Sequence, residues 1–183
     1  MTRLTRYVAL FRGINVGKAK RIAMADLRAL LESMGYSRVQ TLLNSGNAVF
    51  DGPTVVALKH AQQIQAAVLA TLGVDALVIV KSSKDINAAI DGNTLTTVAT
   101  DPSRLMVAFM SDAKALAGLQ SMADAVWGAE QVHVGKHAAY VWCANGILES
   151  KVAVALLKNL AQSGTTRNWA TVEKIHALMQ RET

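Results

Sequence analysis

The stretch Val39-Gln40-Thr41-Leu42-Leu43-Asn44-Ser45-Gly46-Asn47-Ala48-Val49-Phe50 decides the fold. Two short apolar runs, residues 39–43 and 48–50, flank four turn-forming residues, the pattern of two strands joined by a hairpin. Helical spacing lies on either side of it. Upstream, Met24, Leu27, Leu30, Leu31 and Met34 recur every three or four residues, and Gly35 is placed to stop that helix. Downstream, Gly52-Pro53-Thr54 breaks the chain and offers Thr54 as an N-cap for a helix carrying Leu58, Ala61, Ile64, Val68 and Leu72, with Gly73 as its stop. A β-rich run at residues 7–11 precedes this set, and a buried-type strand at residues 76–80 follows it. The first 80 residues therefore read strand-helix-strand-strand-helix-strand, the split βαβ or ferredoxin-like order.

The remainder almost repeats that order. A short helix is expected at residues 84–90, capped by Ser83 and ended by Gly92, and the polar run 93–103 reads as a connection. A strand at 105–110 is followed by a helix capped by Asp112 and running to about 122. Residues 131–134 and 138–142 form a hairpin around Gly135-Lys136, and Asn145-Gly146 turns the chain again. Ser150 caps an apolar helix from 151 to about 162, and a last helix runs from about 168 to 180. The expected class is α+β with two ferredoxin-like subdomains, the second lacking its fourth strand and ending in helices. Residues 1–81 form the first subdomain, 82–103 the short helix and connection, and 104–183 the second, together making one compact unit.

Composition narrows the setting. With 183 residues, 51% hydrophobic and 17% charged, the chain is globular and can bury a sizeable core. No apolar run approaches the roughly 18 residues of a membrane span, and no signal-peptide pattern follows the early arginines. Cys143 is the single cysteine, so no internal disulfide can form, which suits the reducing cytoplasm. The net charge of +6 is localised: Arg3, Arg6, Arg12, Lys18, Lys20 and Arg21 precede the first acid, Asp26, and the other 13 basic residues are matched by 13 acidic ones. For Arg3 and Arg6 a solubilising terminus is explanation enough. For Arg12, Lys18 and Lys20, held by a loop, attraction of an anionic partner stands beside it.

Three polar clusters carry the candidate chemistry. The first is residues 12–20, Arg-Gly-Ile-Asn-Val-Gly-Lys-Ala-Lys, between a strand and a helix, where exposed N–H groups and the positive helix start favour anions. It is not a Walker A loop: Gly13 and Gly17 enclose three residues, and Ala19 stands where Ser or Thr would hold magnesium. Both glycines also read simply as turn formers. The second cluster is the Asn44–Asn47 turn, which needs no function to exist. In a split βαβ unit the first strand ends at the edge where the second turns into the third, so these two clusters should be neighbours. The third is Thr165-Thr166-Arg167-Asn168-Trp169, read as a helix start in which a cap explains Thr166 and Asn168 but not the pairing of an arginine with a tryptophan.

None of the three clusters holds Asp, Glu, His or Cys, so neither a carboxylate pair nor a triad can be built from them. His133 and His137 flank a hairpin turn without a third ligand in pattern, so no metal site is indicated. No cofactor motif is present either. Cys143 reads as a small buried hydrophobe, and His60 and His176 carry no motif. Tyr7, Ala9 and Phe11 share a strand face with Phe50 on the neighbouring strand, as in RNA-recognition domains, although that family's glycine-aromatic signature is missing. Packing against the second half of the chain is the expected fate of this face.

Taken together, Arg12 to Gly17, Ser45 to Asn47 and Thr166 to Trp169 resemble the Arg-Gly-Ile-Asn-Val-Gly, Ser-Gly-Asn and Thr-Arg-Asn-Trp segments of the bacterial family known as domain of unknown function 1697. The resemblance implies an α+β fold with ferredoxin-like subdomains and no established activity. The chain departs from that family at Glu149, which precedes Ser150-Lys151 where a basic residue is favoured.

The residues themselves lead first to a binding module for a phosphate-bearing or other anionic ligand, a small molecule or nucleic acid, bound by Arg12, Gly13, Asn15, Gly17, Lys18, Lys20, Ser45, Asn47, Thr166, Arg167, Asn168 and Trp169. An enzyme acting on a phosphorylated small molecule is the second class, with Lys18 or Lys20 stabilising charge and an acid or base such as Asp51 or His137 arriving from elsewhere. In the third, the motifs lock the two subdomains together.

Overall fold

The computed structural model describes residues 3–181. The chain forms two units, one of residues up to Lys84 together with those from Ile175 onward, the other Asp85–Lys174. Each holds a four-stranded antiparallel sheet with helices, so the protein is α+β.

In the first unit β1 (Leu4–Phe11), α1 (Met24–Ser33), β2 (Ser37–Leu42), β3 (Asn47–Pro53), α2 (Ala57–Leu72) and β4 (Val78–Ser82) follow in order, and the strands lie β2-β3-β1-β4. This order and pairing fit the split βαβ arrangement. Tyr7 faces Phe50 and Val8 faces Val49 across β1 and β3, while Ala9 faces Val80 across β1 and β4. One of the two interior strands, β1 is buried on both faces from Tyr7 to Phe11, which is why it reads as an unbroken apolar run. Tyr7, Ala9 and Phe11 pack with Phe50 against Leu27, Leu31, Ile64 and Val68 of the unit's own helices. That corrects the expectation that this face would meet the second half, and it leaves no open platform for stacking bases.

Local signals explain most element ends. Gly73 closes α2 in the left-handed region, at φ 68°, and its N–H returns to Leu69 O. Thr54 does not cap α2. The helix starts after Val56, and the Thr54 hydroxyl instead meets Thr5 Oγ1 at 2.7 Å and Arg3 O at 3.0 Å, tying the end of β3 to the start of β1. The hairpin loop is Leu43 to Gly46, one residue earlier than the turn signal suggested, because Asn47 already pairs with Leu42.

The second unit holds most of α3 (Ser83–Asp91), followed by a single 3-10 turn at Thr94–Thr97, β5 (Leu105–Met110), α4 (Ala113–Ala117), α5 (Gln120–Ala123), β6 (Gln131–Val134), β7 (Ala139–Trp142), α6 (Lys151–Leu160), β8 (Gly164–Asn168) and the first part of α7 (Trp169–Gln180). Its strand order is β6-β7-β5-β8, the counterpart of the first sheet. The expectation of a missing fourth strand is therefore overturned. β8 pairs antiparallel with β5, Gly164 facing Met110 and Asn168 facing Met106. Gly164 does not end a helix; it opens this strand, where a Cβ would run into the Met110 sulfur. The single helix expected after Asp112 is two short ones, with Gly118 closing the first. Asp112 and Ser150 cap as expected, accepting from Ala115 N at 2.8 Å and Ala153 N at 2.9 Å. Cys143 lies in the core with Val141, Val152 and Leu156, and its burial pushes the thiol pKa up.

Candidate functional site

In the first unit the loop after β1 and the β2–β3 turn do come together. Phe11 N–H donates to Gly46 O at 2.9 Å, and a Cβ on Gly46 would lie 2.5 Å from Ile14 Cδ1. Asn15 is the clasp. Its side-chain amide donates to Ile22 O and to Asn44 O, each at 2.8 Å, and its Oδ1 accepts from Ile22 N at 2.9 Å. Both amide hydrogens and one acceptor lone pair are thus used inside the protein. The loop's shape rests on four left-handed residues, Gly13, Asn15, Gly17 and Lys20, of which Asn15 belongs to a type that tolerates that region. Asn47 is also a brace: its amide donates to Leu42 O at 2.7 Å and to Ser45 Oγ at 3.2 Å, closing its own hairpin.

The cations of this region separate into two groups. Arg6 is held in the sheet, its guanidinium 3.1 Å from Asp51 and 3.0 Å from Arg38 O, while Arg38 Nε meets the other Asp51 oxygen at 2.5 Å. It is a structural residue, contrary to its reading as a solubilising terminus. Asp51, 6% exposed and clasped by two arginines, is a brace across β1, β2 and β3. Lys18, Lys20 and Arg21 are exposed, and Arg12 is half-buried with its backbone N–H on Leu77 O.

Beside the clasp lies a cavity of about 290 Å3 lined by Asn15, Arg21, Ile22, Ala23, Met24 and Asn44, none of them acidic. It meets the start of α1, where Ala23 stands at the N-cap and supplies no side-chain acceptor. The first N–H groups of that helix are therefore left without a side-chain partner and carry the positive end of the helix dipole. Asp26 is the one acid in the first turn, and it is exposed. In the sequence Arg21 is one of six early cations and Asn44 a turn former. Nothing in their spacing showed that both would line a cavity.

The third cluster lies in the second unit. Thr166, Arg167 and Asn168 belong to β8, and Trp169 begins α7, so the segment is a strand running into a helix. Asn168 Oδ1 caps that helix by accepting from Thr171 N at 2.9 Å. Arg167 is 8% exposed; it donates to Thr165 Oγ1 at 3.1 Å and Thr166 O at 2.7 Å, and burial lowers its pKa to about 10, so it stays charged at neutral pH. His133 stacks on Tyr140, and no cluster of three metal-ligating side chains occurs among the described residues.

The fold and this edge define a class: a protein of two split-βαβ units whose first unit carries a basic, glycine-bearing loop clasped to a hairpin. The chain belongs to the family described as "Protein of unknown function (DUF1697)", which matches residues 4–140. Its fold is similar to that of the conserved bacterial protein SP0830 from Streptococcus pneumoniae, with 23% sequence identity and a TM-score of 0.77 over 97% of this chain and all of that one. No curated protein matches the chain. No helix among the described residues is long and apolar enough to cross a membrane.

Proposed function

We propose that the first unit binds a phosphate-bearing ligand at the edge formed by the residue 12–20 loop, the Asn44–Asn47 turn and the start of α1. The observation that carries this reading is the acid-free cavity in which Arg21 and the uncapped start of α1 meet. An anion there gains both a charged side chain and helix N–H groups. Lys18, Lys20 and Arg12 lie on the same loop and raise the local concentration of anions. Asn15, Ser45 and Asn47 hold the cavity's shape, a role their internal hydrogen bonds support. Thr166, Arg167, Asn168 and Trp169 form a separate polar segment of the second unit, and this reading does not depend on them. A reducing, cytoplasmic setting suits the lone buried Cys143.

The test is a thermal-shift screen of the intact protein with inorganic phosphate, mononucleotides and single-stranded and duplex oligonucleotides. Phosphate-bearing compounds should raise the melting temperature, and Arg21→Ala should remove the effect without lowering the ligand-free value. Salt separates the two ligand types: an oligonucleotide should lose affinity steeply with rising salt, and a mononucleotide only mildly. No shift with any member of the panel would overturn the reading.

A further inference from the structure

A second cleft, of about 580 Å3, opens in the first unit and shares no lining residue with the smaller cavity. Its volume falls within the range of roughly 300–1,000 Å3 typical of small-molecule sites. Two buried polar side chains belong to it, Tyr36 at 7% and His60 at 2% exposure. His60 Nε2 lies 2.9 Å from Pro53 O, and Nδ1 lies 2.8 Å from Tyr36 Oη. A carbonyl can only accept, so Nε2 carries the proton and Nδ1 accepts from the Tyr36 hydroxyl. With its proton committed inward, the Tyr36 oxygen keeps its lone pairs for a donor in the cleft.

Both rings are fixed by packing. Tyr36 lies 4.4 Å from Phe50 and His60 lies 4.6 Å from Tyr7, centroid to centroid. Gly52 makes room for them, since a Cβ there would sit 3.0 Å from the Tyr36 ring and 3.1 Å from His60 Cε1. Both ring nitrogens are engaged inside the protein, and burial raises the Tyr36 pKa, so the hydroxyl stays protonated and the pair presents its oxygen as a fixed acceptor. Met34, Pro53, Val55 and Ala66 give apolar walls. Gly35 and, one helical turn apart on α2, Lys59 and Gln63 complete the lining, which contains no acid. Neither side chain makes a hydrogen bond or ion pair among the described residues.

We propose that this cleft is a binding site for a small monocarboxylate with an apolar body and a hydrogen-bond donor at its far end. The carboxylate is taken by Lys59 and Gln63, the body by the apolar walls, and the donor by Tyr36 Oη. The site is independent of the phosphate-binding edge.

The probe is 4-hydroxyphenylacetate, titrated into the intact protein and followed by calorimetry and by saturation-transfer NMR. The expected result is saturable binding, weakened about tenfold by Lys59→Met and by replacing the acid with its neutral amide, as loss of a charge-assisted hydrogen bond requires. Ala66→Trp, at an exposed helix position, should fill the cleft and abolish binding while the melting temperature is unchanged. Arg21→Ala should leave binding intact, which separates this site from the loop. No saturable binding, or equal affinity in Lys59→Met or Ala66→Trp, would overturn the proposal.

Discussion

Asn15 shows how differently one residue reads in sequence and in place. In the sequence it is a donor and acceptor among cations, and so a candidate ligand contact. In the structure its amide makes three hydrogen bonds that join two loops. Asn15→Ala should therefore cost roughly 1–3 kcal/mol of stability, because the Ile22 and Asn44 groups lose their partner. Lys18→Ala, on the exposed tip of the same loop, should stay within about 0.5 kcal/mol. Urea denaturation of the two variants checks the contrast. His60 was passed over because a single histidine on a helix carries no pattern; only the tertiary approach of Tyr36 and Pro53 gives it partners. Burial lowers its pKa from 6.5, with the hydrogen bond to Pro53 opposing. Below about pH 6.5 the unfolded chain then binds a proton that the folded one resists, so stability should fall as pH drops below that point. Denaturant midpoints between pH 7.5 and 5 should show the decline, and His60→Gln should flatten it.

At the scale of elements, legibility followed hydrophobic contrast. β1 and β5 are plain as short, unbroken apolar runs bounded by charge, and α2 by apolar positions at helical spacing that end at Gly73. β8 was missed because Gly164-Thr165-Thr166-Arg167-Asn168 has no apolar alternation. It is a strand because its backbone completes the ladder on β5, an interaction that depends on no side-chain pattern. The start of α2, unlike its body, is misplaced in the sequence: Thr54 is a capping residue type, but its hydroxyl is bonded to Thr5 and Arg3. Asp112 and Ser150 cap as their sequence positions indicate, whereas Ser83, expected to cap the helix at 84–90, is itself the first residue of α3. Ser150, 1% exposed, holds the first turn of α6, and Ser150→Ala should cost about 1 kcal/mol, read as a lower urea midpoint with an unchanged slope.

For the whole molecule, the sequence located the charge surplus but not its division of labour. Of the six early cations, Arg6 is spent on Asp51 inside the sheet, whereas Lys18, Lys20 and Arg21 remain exposed at the loop. The meeting of that loop with the hairpin was legible, because strand order alone requires it. The cavity between them was not, since it depends on how Asn15 draws Ile22 and Asn44 together. Phosphate binding is proposed where Arg21 meets the start of α1. Its most direct measurement is a 15N-1H NMR titration of the intact protein with inorganic phosphate against sodium chloride at matched ionic strength. The expected result is saturable, phosphate-specific shifts of the Met24, Ala25 and Ile22 amides that disappear in Arg21→Ala. Shifts of the same size with chloride, or shifts spread over exposed lysines and absent from Met24 and Ala25, would contradict it.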